Sequence, residues 1–232
     1  MVVALPRPLD ALCSRVLNLD RIYAYRFRDI DQAARSDVWS EIASYVYERL
    51  GRPARVLDPA AGKVEFIAHC PAVDRWAVDM VDHGLTQLSD VTVRIAPIWQ
   101  ADLPRGSFDA IFVSNLLEHL ASPDEIADFL ALMRELLRPG GTIAVMGPNF
   151  RYCQDEYFDC ADHVLALTHV AVAEHLYGAG FEVSSVTSRF LPYSFRSRLP
   201  SSRGLTRAYL KMPVLWRLLG KQFFVLGASP ER

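Results

Sequence analysis

A doubly wound α/β fold is what this sequence predicts: seven strands in a mostly parallel sheet, with helices on both faces. Three observations carry that reading. Short apolar runs alternate along the chain with segments of helical periodicity. One run, FDAIFVS (Phe108–Ser114), is apolar almost throughout, as a strand covered on both faces has to be. Acids and a glycine recur where the strands should end, the edge along which open α/β sheets bind ligands.

The elements follow in order. Ser36 to Leu50 sets Val38, Trp39, Ile42, Tyr45, Val46 and Leu50 on one helical face, and Gly51 and Pro53 stop it. Ala54 to Leu57 is a short buried strand, Arg75 to Met80 a second, Val91 to Ala96 a third and Phe108 to Ser114 a fourth. Ser122 and Glu125 form a capping box around Pro123, opening a helix whose inward stripe is Ile126, Phe129, Leu130, Met133, Leu136 and Leu137. Pro139-Gly140-Gly141 ends it, and TIAVMG is strand five. Thr168 caps the next helix, which stops at Gly178 and Gly180 and feeds a sixth strand, FEVSSVTSRF. The seventh is KQFFVLGA.

At 232 residues the chain suits a single domain, read here as 1–232. A formal net charge of −2 gives no pull toward nucleic acid. No apolar run approaches the ~20 residues of a membrane span and no secretory h-region follows Met1, so a cytoplasmic protein is expected. Cys13, Cys70, Cys153 and Cys160 are scattered without a C-x-x-C pair, which favours reduced thiols over a disulfide framework or a zinc site.

The chemistry starts at VLDPAAGKVEF. Asp58 closes strand one, Gly62 permits close backbone approach, and Asp79 closes strand two where an acid accepts from both hydroxyls of a ribose. Asp102, in QADLP, follows strand three, placed to read an exocyclic amine. Val64 stands where a phosphate-binding loop carries its second glycine; its Cβ disfavours a left-handed backbone. A pyrophosphate needs that glycine more than a phosphate-free adenosyl ligand does, which counts against a nicotinamide dehydrogenase.

These strings resemble the class I S-adenosylmethionine-dependent methyltransferases, over about Ser36 to Ala228. VLDPAAG is similar to that family's first motif, AVDM to its ribose acid and following adenine-stacking residue, and QADLP to its adenine-amine reader. FDAIFVSNLLEHL and RELLRPGGTIAVMGPN are similar to its fourth-strand motif and the helix-turn-strand after it. The resemblance implies S-adenosylmethionine as cofactor and strand seven antiparallel between strands five and six. It implies that Asp58, Ala60 and Gly62 shape the loop around the methionine part. Asp79 takes the ribose, Met80 packs on adenine, and Asp102 with Leu103 meets its amino edge. Ser114 and Asn115 line the methyl-donor side.

The acceptor pocket is expected above strands four and five and beneath an N-terminal helical segment, 1–50. NFRYCQDEYFDCADHVLALTH is a long polar-aromatic loop of the kind that carries function. Within it Asp162-His163 is a candidate acid/base pair titrating near neutrality, or His163 only anchors the loop. Tyr152, Tyr157 and Phe158 read as pocket walls or as packing. His119 is a rival base. Arg26, Arg28 and Arg35 read as cover for the site or as solvated surface. Residues 191–221 read as a basic amphipathic helical insertion between strands six and seven, split by Pro213. No acid falls between Glu182 and Glu231, while Arg189, Arg196, Arg198, Arg203, Arg207, Lys211, Arg217 and Lys221 all do. That points to an anionic, glycan- or lipid-linked acceptor, to peripheral membrane contact through 189–221, or to a plain helical lid. Methyl transfer at oxygen of a small molecule is the expected function. Its rivals are another S-adenosylmethionine chemistry such as an intramolecular cyclase, and a non-catalytic scaffold. No metal is expected, and the acceptor and oligomeric state stay open.

Overall fold

The computed structural model describes residues 18–29, 31–193 and 202–231. Cys13, Arg196 and Arg198 lie outside them, as do the outer part of the N-terminal segment and part of the 191–221 insertion. The strands are β1 (Arg55–Asp58), β2 (Asp74–Asp79), β3 (Thr92–Ile95), β4 (Phe108–Ser114), β5 (Leu137–Pro148), β6 (Glu182–Thr187) and β7 (Gln222–Ala228). The helices are α1 (Leu19–Arg26), α2 (Gln32–Arg49), α3 (Glu65–His69), α4 (Pro123–Leu136), α5 (Gln154–Tyr157), α6 (His169–Gly178), α7 (Arg203–Leu210) and α8 (Pro213–Leu219).

The seven strands form one sheet in the order β3-β2-β1-β4-β5-β7-β6. All neighbouring pairs are parallel except those of β7, which runs antiparallel to both β5 and β6. The order reverses between β1 and β4, so the loop after β1 opens at the switch point where α/β sheets bind ligands.

Successive residues of each strand feed two cores. Val56, Ala77, Phe112, Ala144 and Phe224 pack under α2 and α3, while Leu57, Val78, Ile111, Val145 and Val225 pack under α4 and α6. This alternation, buried on both faces, is why the strands read as continuous apolar runs. Caps set the helix starts. Ser122 Oγ accepts from the Glu125 amide at 3.1 Å, and Glu125 Oε2 accepts from Ala121 at 2.7 Å. Thr168 accepts from Ala171. The helix expected from Ser36 starts at Gln32 instead, because Asp31 accepts from the Ala33 and Ala34 amides.

Between β6 and β7, α7 and α8 lie against α2. Glu41 of α2 accepts from Arg203 Nε at 2.7 Å and from Arg207 Nε and Nη2 at 2.8 Å. Tyr45, Phe190, Trp216 and Phe224 form an aromatic cluster beneath. Pro213 occupies the first turn of α8, where its missing N–H costs nothing. Lys221 pairs with Glu156. Part of the basic excess read from the sequence is therefore neutralised within the fold. Lys211 and Arg217 are exposed, next to exposed Leu205, Met212, Val214, Leu218 and Leu219.

Candidate functional site

The loop after β1 is held by β2. Ala61 N donates to the Val78 carbonyl at 3.0 Å and Gly62 N to Asp79 Oδ2 at 2.7 Å. Asp79 Oδ1 accepts from Val81 N at 3.0 Å. One carboxylate thus fixes two loops, leaving lone pairs on both oxygens. Gly62 has φ +49°, and a Cβ built there meets nothing within 4 Å, so the backbone faces open space. Val64 has φ 60° and ψ 14°, the left-handed conformation a β-branched residue avoids, and it stands as N-cap of α3 without a side-chain cap. The loop keeps the backbone path a glycine would take although the residue is valine.

Asp58 is 3% exposed, and the contact at its carboxylate is a long one, Ala60 N at 3.4 Å. Burial, with Asp79 and Glu65 adding to it, pushes this carboxyl up to about 8. Met80 is exposed at the end of β2. Asp102 is exposed and Leu103 half-buried in the segment after the Ile98–Gln100 turn. Ser114 ends β4, where Asn115, at φ 49°, donates from Nδ2 to Ser114 Oγ at 2.9 Å. Exposed Ile95, paired in register with Asp79, and exposed Trp99 four residues on are apolar surface at this edge that the sequence reading missed.

A second group lies past the end of β4. Glu118 and His119 sit in a 3-10 turn (Leu117–His119), and the Val164 and Leu165 amides donate to the Glu118 carbonyl at 2.8 and 3.1 Å. That backbone clamp brings Asp162 and His163 against His119. His119 Nδ1 lies 2.8 Å from the Asp162 carbonyl, and the two histidine rings are 4.9 Å apart, edge to face. A carbonyl only accepts, so His119 carries a proton on Nδ1.

Glu118 was not among the expected site residues. It is 1% exposed, and burial pushes its carboxyl up to about 7. Gly147 of β5 makes room for it: a Cβ there would stand 3.3 Å from Glu118 Oε2. Burial would raise Asp162, but Arg26 and His119 hold it below the usual carboxylate range. Burial carries His163 down to about 4, with His119 adding to the effect. The expectation that His163 titrates near neutrality is thereby corrected; it is a neutral imidazole at physiological pH. Glu118 Oε1, Asp162 Oδ2 and His163 Nδ1 are buried with no hydrogen-bond partner.

The N-terminal segment reaches three loops of this edge. Arg26 pairs with Asp162. The Tyr23 ring lies 6.0 Å from that of His83, after β2. Lys63, beside Gly62, lies 4.3 Å from the Phe27 ring centroid, and Arg35 4.5 Å from it. Arg35 also pairs with Glu65, whereas Arg28 pairs with exposed Asp29. Of the loop aromatics, Tyr157 is fully buried and donates its hydroxyl to the Leu165 carbonyl at 2.7 Å, so it packs rather than lines a pocket. Tyr152 stacks with His169 and carries Arg189 on its ring, and Phe158 is exposed.

Residues 51–145 match the family model described as "Methyltransferase domain". No curated protein matches the sequence. Solved structures share the fold. A SAM-dependent methyltransferase of Thermotoga maritima, described as a possible histamine N-methyltransferase, is 14% identical, covering 91% of this chain and 96% of its own, with TM-score 0.64. The 1,6-didemethyltoxoflavin-N1-methyltransferase of Burkholderia thailandensis, solved with 1,6-didemethyltoxoflavin and S-adenosylhomocysteine, is 21% identical, covering 98% and 93%, with TM-score 0.60. The [4+2]-cyclase SpnF is 17% identical, covering 82% and 80%, with TM-score 0.57.

Proposed function

We propose, on the premise that this chain is a class I S-adenosylmethionine-dependent methyltransferase, that it methylates an oxygen of a small-molecule acceptor held beside His163. The residues at the strand ends fit the cofactor. Asp58 is a buried acid with one long contact and capacity left for an ammonium group. Asp79 has lone pairs to spare for ribose hydroxyls. In this reading Met80 and Leu103 flank adenine, Asp102 accepts from its amine, and Ala60, Gly62, Ser114 and Asn115 border the methionine part. When bound, S-adenosylmethionine supplies an activated methyl group, which asks of the protein chiefly in-line placement.

The observation that supports oxygen as acceptor is His163 Nδ1, a neutral, buried and unpartnered nitrogen beside Asp162. A hydroxyl donating to it loses its hydrogen toward a waiting lone pair as the oxygen attacks. Asp162, tied to Arg26, and His119 hold that loop in register. Lys211 and Arg217, among the exposed apolar residues of α7 and α8, support an anionic or lipid-linked acceptor.

Incubation with S-adenosylmethionine and a library of hydroxylated metabolites tests the reading. S-adenosylhomocysteine together with an acceptor heavier by one methylene is expected, and His163→Ala should lower kcat by about 10²–10⁴ with cofactor affinity kept. An acceptor rearranged at unchanged mass, with the cofactor intact, would favour a cyclase, the chemistry named for one structural neighbour.

A further inference from the structure

We propose that Glu118, His119 and His163 form a binding site for a borderline divalent transition-metal ion, zinc(II) in type. One ligand atom from each lies within 4.8 Å of the others. Tetrahedral donors about 2.0–2.2 Å from zinc stand roughly 3.3–3.6 Å apart, within reach of small side-chain rotations. One carboxylate and two imidazoles suit zinc and its neighbours in the first transition row rather than magnesium or calcium.

The polar atoms at this place lack partners in a way that one cation resolves. Glu118 is 1% exposed and its Oε1 has no hydrogen-bond donor; His163 Nδ1 is equally bare. Asp162 Oδ2, also unpartnered, and Cys160 Sγ form a second triad with the same His163, and offer a fourth ligand. We place Glu118 and His119 in the primary set because Asp162 is already engaged by Arg26 and Cys160 lies 3.3 Å from the Tyr193 hydroxyl.

The surroundings are built as a metal site's are. His119 Nδ1 donates to the Asp162 carbonyl, the outer bond that fixes a ligating histidine's tautomer. Two amides from the 164–165 backbone hold the Glu118 carbonyl, so the two ligand-bearing segments are joined before any ion arrives. The Tyr157 ring, 4.8 Å from that of His163, closes the apolar side. The inference deepens the function proposed above, rests on its placing of the acceptor, and changes the role of His163. A bound ion would occupy the His163 Nδ1 lone pair and, as a Lewis acid, would lower the pKa of an acceptor hydroxyl, whose proton would then leave to solvent water before the oxygen takes the methyl group.

The test uses the full chain, stripped with a chelator and titrated with Co²⁺ and Zn²⁺ in the absence of S-adenosylmethionine. One Co²⁺ per chain is expected, with the intense visible bands of a four-coordinate site, bleached by stoichiometric Zn²⁺. His163→Ala and Glu118→Gln should each weaken binding at least tenfold, while His175→Ala on α6 leaves it unchanged. A wild-type protein without the visible bands, or variants that bind as it does, would overturn the site. Should Glu118→Gln fail to fold, the wild-type spectrum and His163→Ala still decide. Because no cofactor is present, a negative result leaves the methyltransferase reading standing. Intact cobalt bands with no methylated product would instead sink that reading and keep the site.

Discussion

Asp79 Oδ2 accepts the Gly62 amide at 2.7 Å, tying the loop after β1 to the end of β2 through one carboxylate. The acid proposed for the ribose is therefore also the brace of the loop proposed for the methionine part. Asp79→Ala should weaken S-adenosylmethionine binding by about 1–3 kcal/mol, the cost of unpaired hydroxyls together with a loosened Gly62. Asp79→Asn, which keeps one acceptor, should lose less. Calorimetry on both variants decides, and equal affinity for Asp79→Ala and wild type would remove Asp79 from the cofactor site.

Val64 sets the second expectation. Its left-handed backbone, φ 60°, costs on the order of 1–3 kcal/mol, whereas glycine there costs ~0.5–1 kcal/mol in unfolded-chain entropy. Val64→Gly should thus be no less stable than wild type despite losing an isopropyl group that packs against the α2 core. Since the backbone path is already that of a glycine, cofactor affinity should stay within about tenfold. A variant that binds where wild type does not would show the valine to have closed the loop.

Glu41 anchors the α7–α8 insertion through Arg203 and Arg207. Hydrogen bonds from Arg207, and then from Arg203, hold its carboxyl down at about 2 against the opposing effect of burial. A depressed folded-state value means stability present above the unfolded carboxyl's range, near 4.3, and lost as pH falls through about 2. Both arginines are more than half exposed, so solvent screens the pairs. Glu41→Gln should cost about 1–2 kcal/mol at pH 7 and nothing near pH 1.5. Thermal melts across that range, with proteolysis of 202–220 as a local readout, check it.

How much of this was legible in the sequence depends on distance along the chain. β4, the Ser122 cap and the Pro213 break declare themselves within a few residues, through apolar runs and side chains reaching the next turn. The Asp31 cap carried the same local signal and was passed over, which is why α2 begins four residues early. The Glu118, Asp162 and His163 cluster is a product of tertiary folding: His119 and Asp162 are 43 residues apart, Arg26 and Asp162 136. Nothing local says that Glu118 is buried, though a lone acid inside the apolar string NLLEHL is a signal that was there to be used. The His163 value follows chiefly from burial, with His119 adding to it, and sequence supplies neither the burial nor the neighbour.

Asp58 gives the last expectation. Its folded-state value of about 8 stands above the ordinary carboxyl's, near 3.9, so the folded protein binds the extra proton. Stability is then full below pH ~4 and declines as pH rises through about 8. Asp58→Asn should abolish that decline. Binding carries the sharper consequence. At pH 7, one unit below the folded value, about nine in ten free molecules hold the proton. An ammonium group brought against Asp58 favours the carboxylate, so S-adenosylmethionine binding should release close to one proton per site. Calorimetry in phosphate and in Tris reads this directly, because the apparent enthalpy shifts by the buffer's ionisation enthalpy for each proton released. Wild type should show the shift and Asp58→Asn should not. Identical enthalpies for wild type in the two buffers would mean that Asp58 stays protonated in the complex, and the methionine amine would have to find its partner elsewhere on the loop.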